Sequence, residues 1–353
     1  MKLLQKNGGS SGNKQMKLAI GTITYGDSTA KYLPDFFASL SQQTFKDFKL
    51  IVVDNSETEE NANKKFIQSV AGLDLDFSWN GENIGFARAY NKIIKKADSF
   101  RVEYFLVINP DVKLATDTLE KMIQVLDADK SSGSVSPKIL KWKFDSSTAQ
   151  KFSKPDVNVI DSCGIRLMPG LRFVDIGQAQ EDTGQFDNIE ILGPSGACGM
   201  YRMSALEKVV EDGRYFDELM FMYKEDCDLA YRLHLAGFKS RCISEAIAHH
   251  DRTVAGKGES VFKILKARWA KNRREIKWSF MHQQLIYWKY WRVQNWRDKL
   301  VIIYHQFRLL IYIALFEQFL FLSLVEMRNK CRQAKVYGRA RNDYAELFQQ
   351  PKH

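Results

Sequence analysis

Hydrophobic residues fall along this chain in two kinds of block. Short continuous apolar runs alternate with longer stretches in which apolar residues recur every three or four positions. Lys17–Thr24 (KLAIGTIT), Phe48–Val53 (FKLIVV), Leu75–Trp79 and Tyr104–Ile108 (YFLVI) read as strands. Residues 32–41, 58–71, 85–97 and 116–127 read as helices, the third opened by Asn83. A strand without polar alternation needs cover on both faces, so the interleaving predicts an α/β architecture with parallel strands between helices. Residues 130–192 are richer in Ser, Asp and Gly and predict loops and an antiparallel edge. Asp226–Leu235 returns to helical spacing, with Leu229, Leu233 and Ala236 on one face and Gly237 as its stop. Cys242–His249 reads as a last strand.

The strand ends are polar: Thr24-Tyr25-Gly26, Asp54-Asn55-Ser56 and Asn109-Pro110-Asp111. Ligands of open parallel sheets bind beyond the carboxyl ends of the strands, so Asp54 and Asp111 are expected to converge on one site. Leu192–Met203 (LGPSGACGMYRM) holds three glycines, as backbone does where it approaches another group closely. Glu225, Asp226 and Asp228 crowd the first turn of a helix, more acid than the helix dipole calls for. Like charges this close raise at least one pKa, as a general base requires. The last strand ends in His249-His250-Asp251.

Composition narrows the class. With 353 residues, 45% hydrophobic and 27% charged, the chain is neither disordered nor collagenous. Its net charge of +10 is unevenly spread: residues 255–353 hold twenty Lys and Arg against seven Asp and Glu, and five of the seven tryptophans. A basic aromatic tail suits an anionic surface, and no nucleic-acid motif accompanies it, so a membrane is the expected partner and nucleic acid is not. Residues 300–325 are very apolar but interrupted by His305, Gln306, Arg308, Glu317 and Gln318. The longest charge-free stretch, Leu309–Phe316, falls short of the about 20 residues a membrane span needs. Helices lying in the membrane interface are therefore expected, with packing on the body or on a second copy as the compatible alternative. Five scattered cysteines form neither a disulfide framework nor a zinc site and fit a reducing cytosol. Residues 1–15 lack the apolar run of a signal peptide and are expected to be disordered.

Five segments carry a resemblance: TITYG, IVVDNSE, NIGFARAYN, LVINPDV, and the pair GPSGACGMYR with FDELMFMYKEDCDLAYRLHLAGF. Their order resembles the family 2 inverting glycosyltransferases, in the bacterial rhamnosyltransferase-like branch, over residues 16–255. The resemblance implies a GT-A nucleotide-diphospho-sugar transferase fold, a mostly parallel sheet flanked by helices. Residues 256–353 then form a C-terminal helical, basic-aromatic extension for membrane association or oligomerisation. The family's roles place Thr24, Tyr25 and Asp54 on the nucleoside. Asn83, Gly85 and Asn91 lie in the segment closing over nucleotide and sugar, with Arg88 toward the diphosphate. Asn109 and Asp111 match the family's Asp-x-Asp motif with its first acid replaced, which removes one charge. Mg²⁺ or Mn²⁺ would be held by Asp111 and His249, with His250 as the alternate register. Asp226 matches the catalytic base, and Gly196, Ala197, Glu225 and Asp228 the acceptor and sugar pocket. Arg232 is placed one turn from Asp228 for an ion pair.

The implied function is transfer of L-rhamnose from dTDP-rhamnose to a hydroxyl of a lipid-linked or growing cell-surface polysaccharide. It would take place at the cytosolic face of the plasma membrane, with a homodimer possible. A UDP-sugar donor (galactofuranose or a hexose) keeps the same mechanism. A nucleotidyltransferase predicts a Gly/Arg/Lys-rich loop after the first strand, which TYGDSTAKYLP is not. A non-catalytic membrane-bound scaffold predicts loss of Asp111 or Asp226, and both are present.

Overall fold

The computed structural model describes residues 16–142, 158–252 and 272–336. The expected disordered segment 1–15 and the basic stretch 257–271 with Trp269 lie outside them. The first half alternates as the apolar blocks predict. It runs β1 (Leu18–Thr24), α1 (Gly26–Ala30), α2 (Leu33–Ser41), β2 (Phe48–Asp54), α3 (Ala62–Ser69), β3 (Leu75–Trp79), α4 (Gly85–Ser99), β4 (Tyr104–Ile108), β5 (Val112–Leu114) and α5 (Thr118–Ala128). Next come β6 (Ser132–Lys141), the short β7 (Ile160–Ser162), β8 (Ile165–Met168), β9 (Arg172–Asp175) and β10 (Glu190–Ile191). After these follow β11 (Cys198–Arg202), α6 (Met203–Lys208), α7 (Glu225–Leu235) and β12 (Lys239–His250).

The main sheet runs β10-β12-β6-β11-β4-β1-β2-β3, with β5 on β12 and β7 on β6. Strands β3, β2, β1 and β4 are parallel, but β11 is antiparallel to both β4 and β6, so the sheet is mixed. Alternate residues of the apolar strands feed opposite cores, as the two-residue period requires. Leu18, Ile20, Leu50, Val52, Leu106 and Ile108 pack with α2 and α5. Ala19, Ile51, Val53, Phe105 and Val107 pack with α4, α6 and α7. Gly21 makes room for this packing, because a Cβ there would sit 2.5 Å from the Phe105 ring.

One expectation is corrected here. Residues 132–141 are not edge or loop but a ten-residue strand inside the sheet. Its serines hid it: Ser132, Ser134 and Ser136 are fully buried, and the Ser134 hydroxyl pairs with that of Ser240 at 2.7 Å. A polar residue satisfied by its neighbour in this way carries no apolar signal.

Among the described residues, the C-terminal region forms three α-helices, α8 (Arg273–Tyr290), α9 (Trp296–Phe316) and α10 (Leu320–Val336). Helix α8 packs on the body: Leu285, Ile286 and Tyr290 share one cluster with Ile165, Leu192, Met220, Ala230 and Tyr231. Helix α9 is the described helix long and apolar enough to cross a membrane by length and composition. It leaves Trp296 67%, Phe307 62% and Leu315 63% exposed.

Candidate functional site

The carboxyl ends of β1, β2 and β4 do come together. Thr24 and Asp54 are fully buried, and the Thr24 hydroxyl donates to Asp54 Oδ1 at 2.9 Å. The Ser56 hydroxyl donates to the same oxygen, and Asn61 Nδ2 donates to Oδ2 at 2.7 Å. Both carboxylate oxygens are thus used within the chain. Thr24 and Asp54 shape the loop behind the site instead of facing a nucleoside, which corrects the expected direct contact. Tyr25 is exposed at the mouth, its hydroxyl donating to Glu57.

The start of α4 is interlocked with the segment ahead of α7. Asn83 Oδ1 accepts the Gly85 N–H at 3.0 Å, and the Phe86 N–H donates to the Phe221 carbonyl at 2.8 Å. Gly85 has φ +80°, and a Cβ there would lie 2.6 Å from that same carbonyl oxygen. Asn91 is buried and fully committed. Its Oδ1 accepts from the N–H groups of Tyr215 and Phe216, and its Nδ2 donates to the Phe216 carbonyl and Glu218. It therefore ties α4 to residues 215–218 and has no bond left for a sugar, a second correction. Arg88 is 61% exposed, with Glu218 at 3.9 Å.

The glycine-rich segment joins Asn109 at the end of β4 to Asp226. The Asn109 N–H donates to the Ala197 carbonyl at 2.9 Å. One residue earlier, the Gly196 N–H donates to Asp226 Oδ2 at 2.9 Å, while Asp226 Oδ1 accepts the Cys227 N–H at 2.7 Å. A Cβ on Gly196 would already meet Asp226 at 3.4 Å. Residues 196–197 therefore form a strap running from the end of β4, two residues before Asp111, to the first turn of α7. Asp226 is held at a helix N-terminus by two backbone donors and stays partly exposed.

Its acidic neighbours have other duties. Glu225 is buried, its Oε2 has no hydrogen-bond partner, and burial followed by the charge of Asp226 raises its pKa well above the usual carboxylate range. Asp228 is fully buried and accepts from Arg232 Nε at 2.9 Å, Lys289 Nζ at 2.6 Å and the Tyr290 hydroxyl at 2.8 Å. The expected Arg232 pair forms, but Asp228 faces the interior and not an acceptor. Glu211, Asp217 and Asp228 lie close enough together to hold a metal ion. The Lys289 ammonium stands among them, 2.8 Å from Asp217, 2.6 Å from Asp228 and 3.7 Å from Glu211, so this cluster serves an internal cation.

Helix α8 clamps the approach to α7. Tyr223 and Lys224 both adopt left-handed φ, +71° and +75°. Such conformations cost about 1–3 kcal/mol each away from glycine. His282 Nδ1 lies 2.9 Å from the carbonyls of both Met222 and Tyr223. Carbonyls only accept, so Nδ1 carries the proton and the neutral ring is the fitting form. Trp278 stacks on Phe221 at 4.8 Å.

Of the two histidines, His250 meets Asp111 and His249 does not share that contact. His250 Nε2 lies 3.4 Å from Asp111 Oδ2, and Nδ1 lies 2.8 Å from Asp161 Oδ2. Adjacent residues on a strand point to opposite faces, which puts the His249 ring on the other side of β12. Burial alone would lower the pKa of His250, but the two carboxylates outweigh it and hold it at about 9. Asp111 Oδ1 is buried without a hydrogen-bond partner. An orphaned carboxylate oxygen beside an imidazole, itself oriented by a second carboxylate, is a donor set that fits a divalent ion once the ion displaces the Nε2 proton that His250 otherwise shares with Asp111. Asp161 escaped sequence reading, because β7 is three residues long and belongs to no recognised segment. Asp251, next to His250 at the end of β12, accepts from the Tyr32 hydroxyl at 2.7 Å.

The profile of Glycosyl transferase family 2 matches residues 19–210. N-acetylglucosaminyl-diphospho-decaprenol L-rhamnosyltransferase of Mycobacterium tuberculosis is 26% identical over 266 residues, 68% of this chain and 78% of that protein. Rhamnosyltransferase WbbL of Escherichia coli is 27% identical over 212 residues, 58% of this chain and 74% of that protein. Among solved structures, residues 1–349 of S. aureus TarS superpose with TM-score 0.45 at 18% identity. That superposition covers 67% of this chain and 60% of the TarS chain, so this chain spans about three-fifths of that structure. With its profile match covering more than half its length, and a GT-A-like fold of a curled mixed sheet with flanking helices, the chain belongs to glycosyl transferase family 2.

Proposed function

We propose that this glycosyltransferase is an inverting rhamnosyltransferase that moves L-rhamnose from dTDP-rhamnose to a hydroxyl of a lipid-linked glycan. The observation that carries the reading is the strap at Gly196-Ala197, which bonds the end of β4 to Asp226 and so sets Asp111 and Asp226 at the two ends of one short segment. Asp226, partly exposed and with its carboxylate oriented by two N–H groups, takes the proton from the acceptor hydroxyl. The acceptor oxygen attacks the anomeric carbon as the bond to the diphosphate breaks on the opposite face, which inverts the configuration. Asp111 and His250 would hold Mg²⁺ or Mn²⁺, and such an ion supplies positive charge for the departing diphosphate. Asp161 orients His250, and the exposed Tyr25 stands where a nucleoside enters. The diphospho-decaprenol in the name of the mycobacterial relative supports a lipid-linked acceptor. The exposed apolar face of α9, with Trp296 and Arg297 at its start, supports association with the inner membrane surface.

The test has two arms. Thermal stabilisation is measured against dTDP-rhamnose, UDP-hexoses and UDP-galactofuranose, with and without Mn²⁺. A metal-dependent shift with dTDP-rhamnose is expected; a shift with UDP-sugars alone would change the sugar and keep the mechanism. Asp226→Asn is then expected to lower transfer by about 10²–10⁴ while leaving the donor-induced shift intact. Near-normal transfer by this variant would remove the base assignment.

A further inference from the structure

Two of the four residues expected to line the acceptor pocket are buried, since Asp228 is enclosed by Lys289 and Tyr290 and Glu225 is covered as well. The other two, Gly196 and Ala197, offer a ligand little side chain. The open surface beside Asp226 belongs to a different residue. Tyr223 is 38% exposed, and the three residues of chain that separate it from Asp226 span at most about 11 Å. On the strap side, a Cβ on Gly196 would meet Asp226 Oδ2 at 3.4 Å and the tip of the half-buried Phe86 ring at 3.5 Å. The carboxylate therefore has aromatic neighbours on both sides in sequence and in space.

The exposed ring is held there at a cost in backbone conformation. Tyr223 and Lys224 are consecutive left-handed residues, and neither is glycine. Such strain persists only where the surroundings enforce it, and it concentrates at sites that hold ligands. Here α8 enforces it, through His282 Nδ1 on the carbonyls of Met222 and Tyr223 and Trp278 on the Phe221 ring. The charged groups that act on the Tyr223 phenol are Glu275, Glu225 and Arg252. Glu275 lies in the first turn of α8. Arg252 follows β12 and pairs with Asp161 at 3.5 Å and Asp175 at 3.1 Å, on the donor side of the site.

An open aromatic face with a carboxylate and a guanidinium near its hydroxyl suits a sugar ring. The C–H face of a pyranose packs on the aromatic plane, and its hydroxyls bond to the charged groups. A hydrocarbon makes no use of those groups, and a phosphate meets like charge in Asp226 and Glu275. We infer that Tyr223 is the platform on which the acceptor's terminal pyranose stacks, with Glu275 of α8 accepting from one sugar hydroxyl while another is presented to Asp226. This rests on the reading of Asp226 as the base, and on neither the donor sugar nor the lipid.

The experiment is saturation-transfer NMR on the full chain with Mg²⁺ and dTDP. The probes are the methyl glycosides of N-acetylglucosamine, glucose, galactose and rhamnose, with cyclohexylmethanol as the alcohol that is not a sugar. Irradiating aromatic protons should give a saturable signal for at least one glycoside, concentrated on the C–H protons of one ring face, and none for cyclohexylmethanol. Tyr223→Ala keeps a Cβ in the same left-handed conformation and should weaken binding at least tenfold, and Tyr223→Phe and Tyr223→Trp should restore it, all at unchanged melting temperature. With a glycoside that accepts sugar, Tyr223→Ala should raise its KM at least tenfold and leave the donor KM alone. Glu275→Gln should weaken binding by a smaller factor. No saturable glycoside, binding indifferent to Tyr223→Ala, or Tyr223→Phe failing as badly as Tyr223→Ala would overturn the proposal. Should Tyr223→Ala not fold, wild-type protein with ring-deuterated tyrosine decides, since aromatic saturation should then reach the glycoside far less; unchanged transfer would overturn the proposal. If the glycoside stacks on Tyr223 while Asp226→Asn transfers normally, the base reading falls and the platform stands. If Asp226→Asn is inactive and glycosides ignore Tyr223, only the platform falls.

Discussion

His282 gives single-residue chemistry a readable consequence. Burial pushes its pKa down to about 4, and the shared bond to the Met222 and Tyr223 carbonyls requires a proton on Nδ1 but none on Nε2. An unfolded chain protonates this residue near pH 6.5, and the folded one does not until near pH 4. Stability from this group is therefore complete above pH 6.5 and lost as pH falls toward 4, at up to about 1.4 kcal/mol per pH unit. His282→Gln stays neutral and keeps an amide donor. Its loss of stability between pH 7 and pH 5, read by urea denaturation, should be smaller than that of the wild type by about 2 kcal/mol. An unchanged difference would assign the pH dependence to another group.

At the scale of elements, α8 is fastened to α7 by a buried charge network. Lys289 is surrounded by Asp217, Asp228 and Glu211, and Arg232 adds a second cation to Asp228. Lys289→Met leaves Asp217 buried without its main partner, and removing one member of such a pair costs about 3–5 kcal/mol. Despite its burial, Asp217 is held well below the usual carboxylate range by Lys289. Its contribution is thus present above the ordinary carboxylate pKa near 4 and lost as pH falls below it. The variant should be less stable at pH 7 and show a shallower decline on acidification, both measurable by denaturant titration. Equal stability at pH 7 would mean that water or Arg232 already satisfies Asp217.

For the whole molecule, the apolar cluster joining Leu285, Ile286 and Tyr290 to Met220 and Tyr231 crosses the boundary expected at residue 255. A chain ending there would expose that cluster and strip Asp217 and Asp228 of Lys289. It should aggregate or unfold non-cooperatively; a soluble fragment melting at the full-length temperature would refute this. The outer face of α9 makes a separate prediction. Full-length protein should float with anionic vesicles at low salt and much less with neutral ones, since basic residues near a surface contribute about 1 kcal/mol each and salt screens them. Leu300→Glu with Leu315→Glu should reduce flotation without changing the melting temperature, because both side chains are exposed.

The parallel half of the fold was legible because its strands are continuous apolar runs bounded by turn residues, as in YFLVI followed by Asn-Pro-Asp. The acidic first turn of α7, the Arg232–Asp228 pair and the glycine-rich segment were legible for the same reason: spacing along a single element dictates them. Strand β6 was not, since its alternate buried positions are serines, and the central one, Ser134, finds its partner only in Ser240 of the neighbouring strand. Which acids face the site was equally out of reach. Asp228 and Asp226 sit two residues apart, yet one is enclosed by Lys289 and Tyr290 while the other meets the Gly196 N–H. His250, not His249, reaches Asp111 because the pleat of β12 points one ring inward and the next outward, and Asp161 then fixes that ring. Local periodicity thus determined the elements and the list of chemically capable residues. Partners as distant in sequence as Asn91 and Glu218, 127 positions apart, decided which of those residues are structural and which are left open to a ligand, because burial and hydrogen-bond satisfaction are properties of the packed chain.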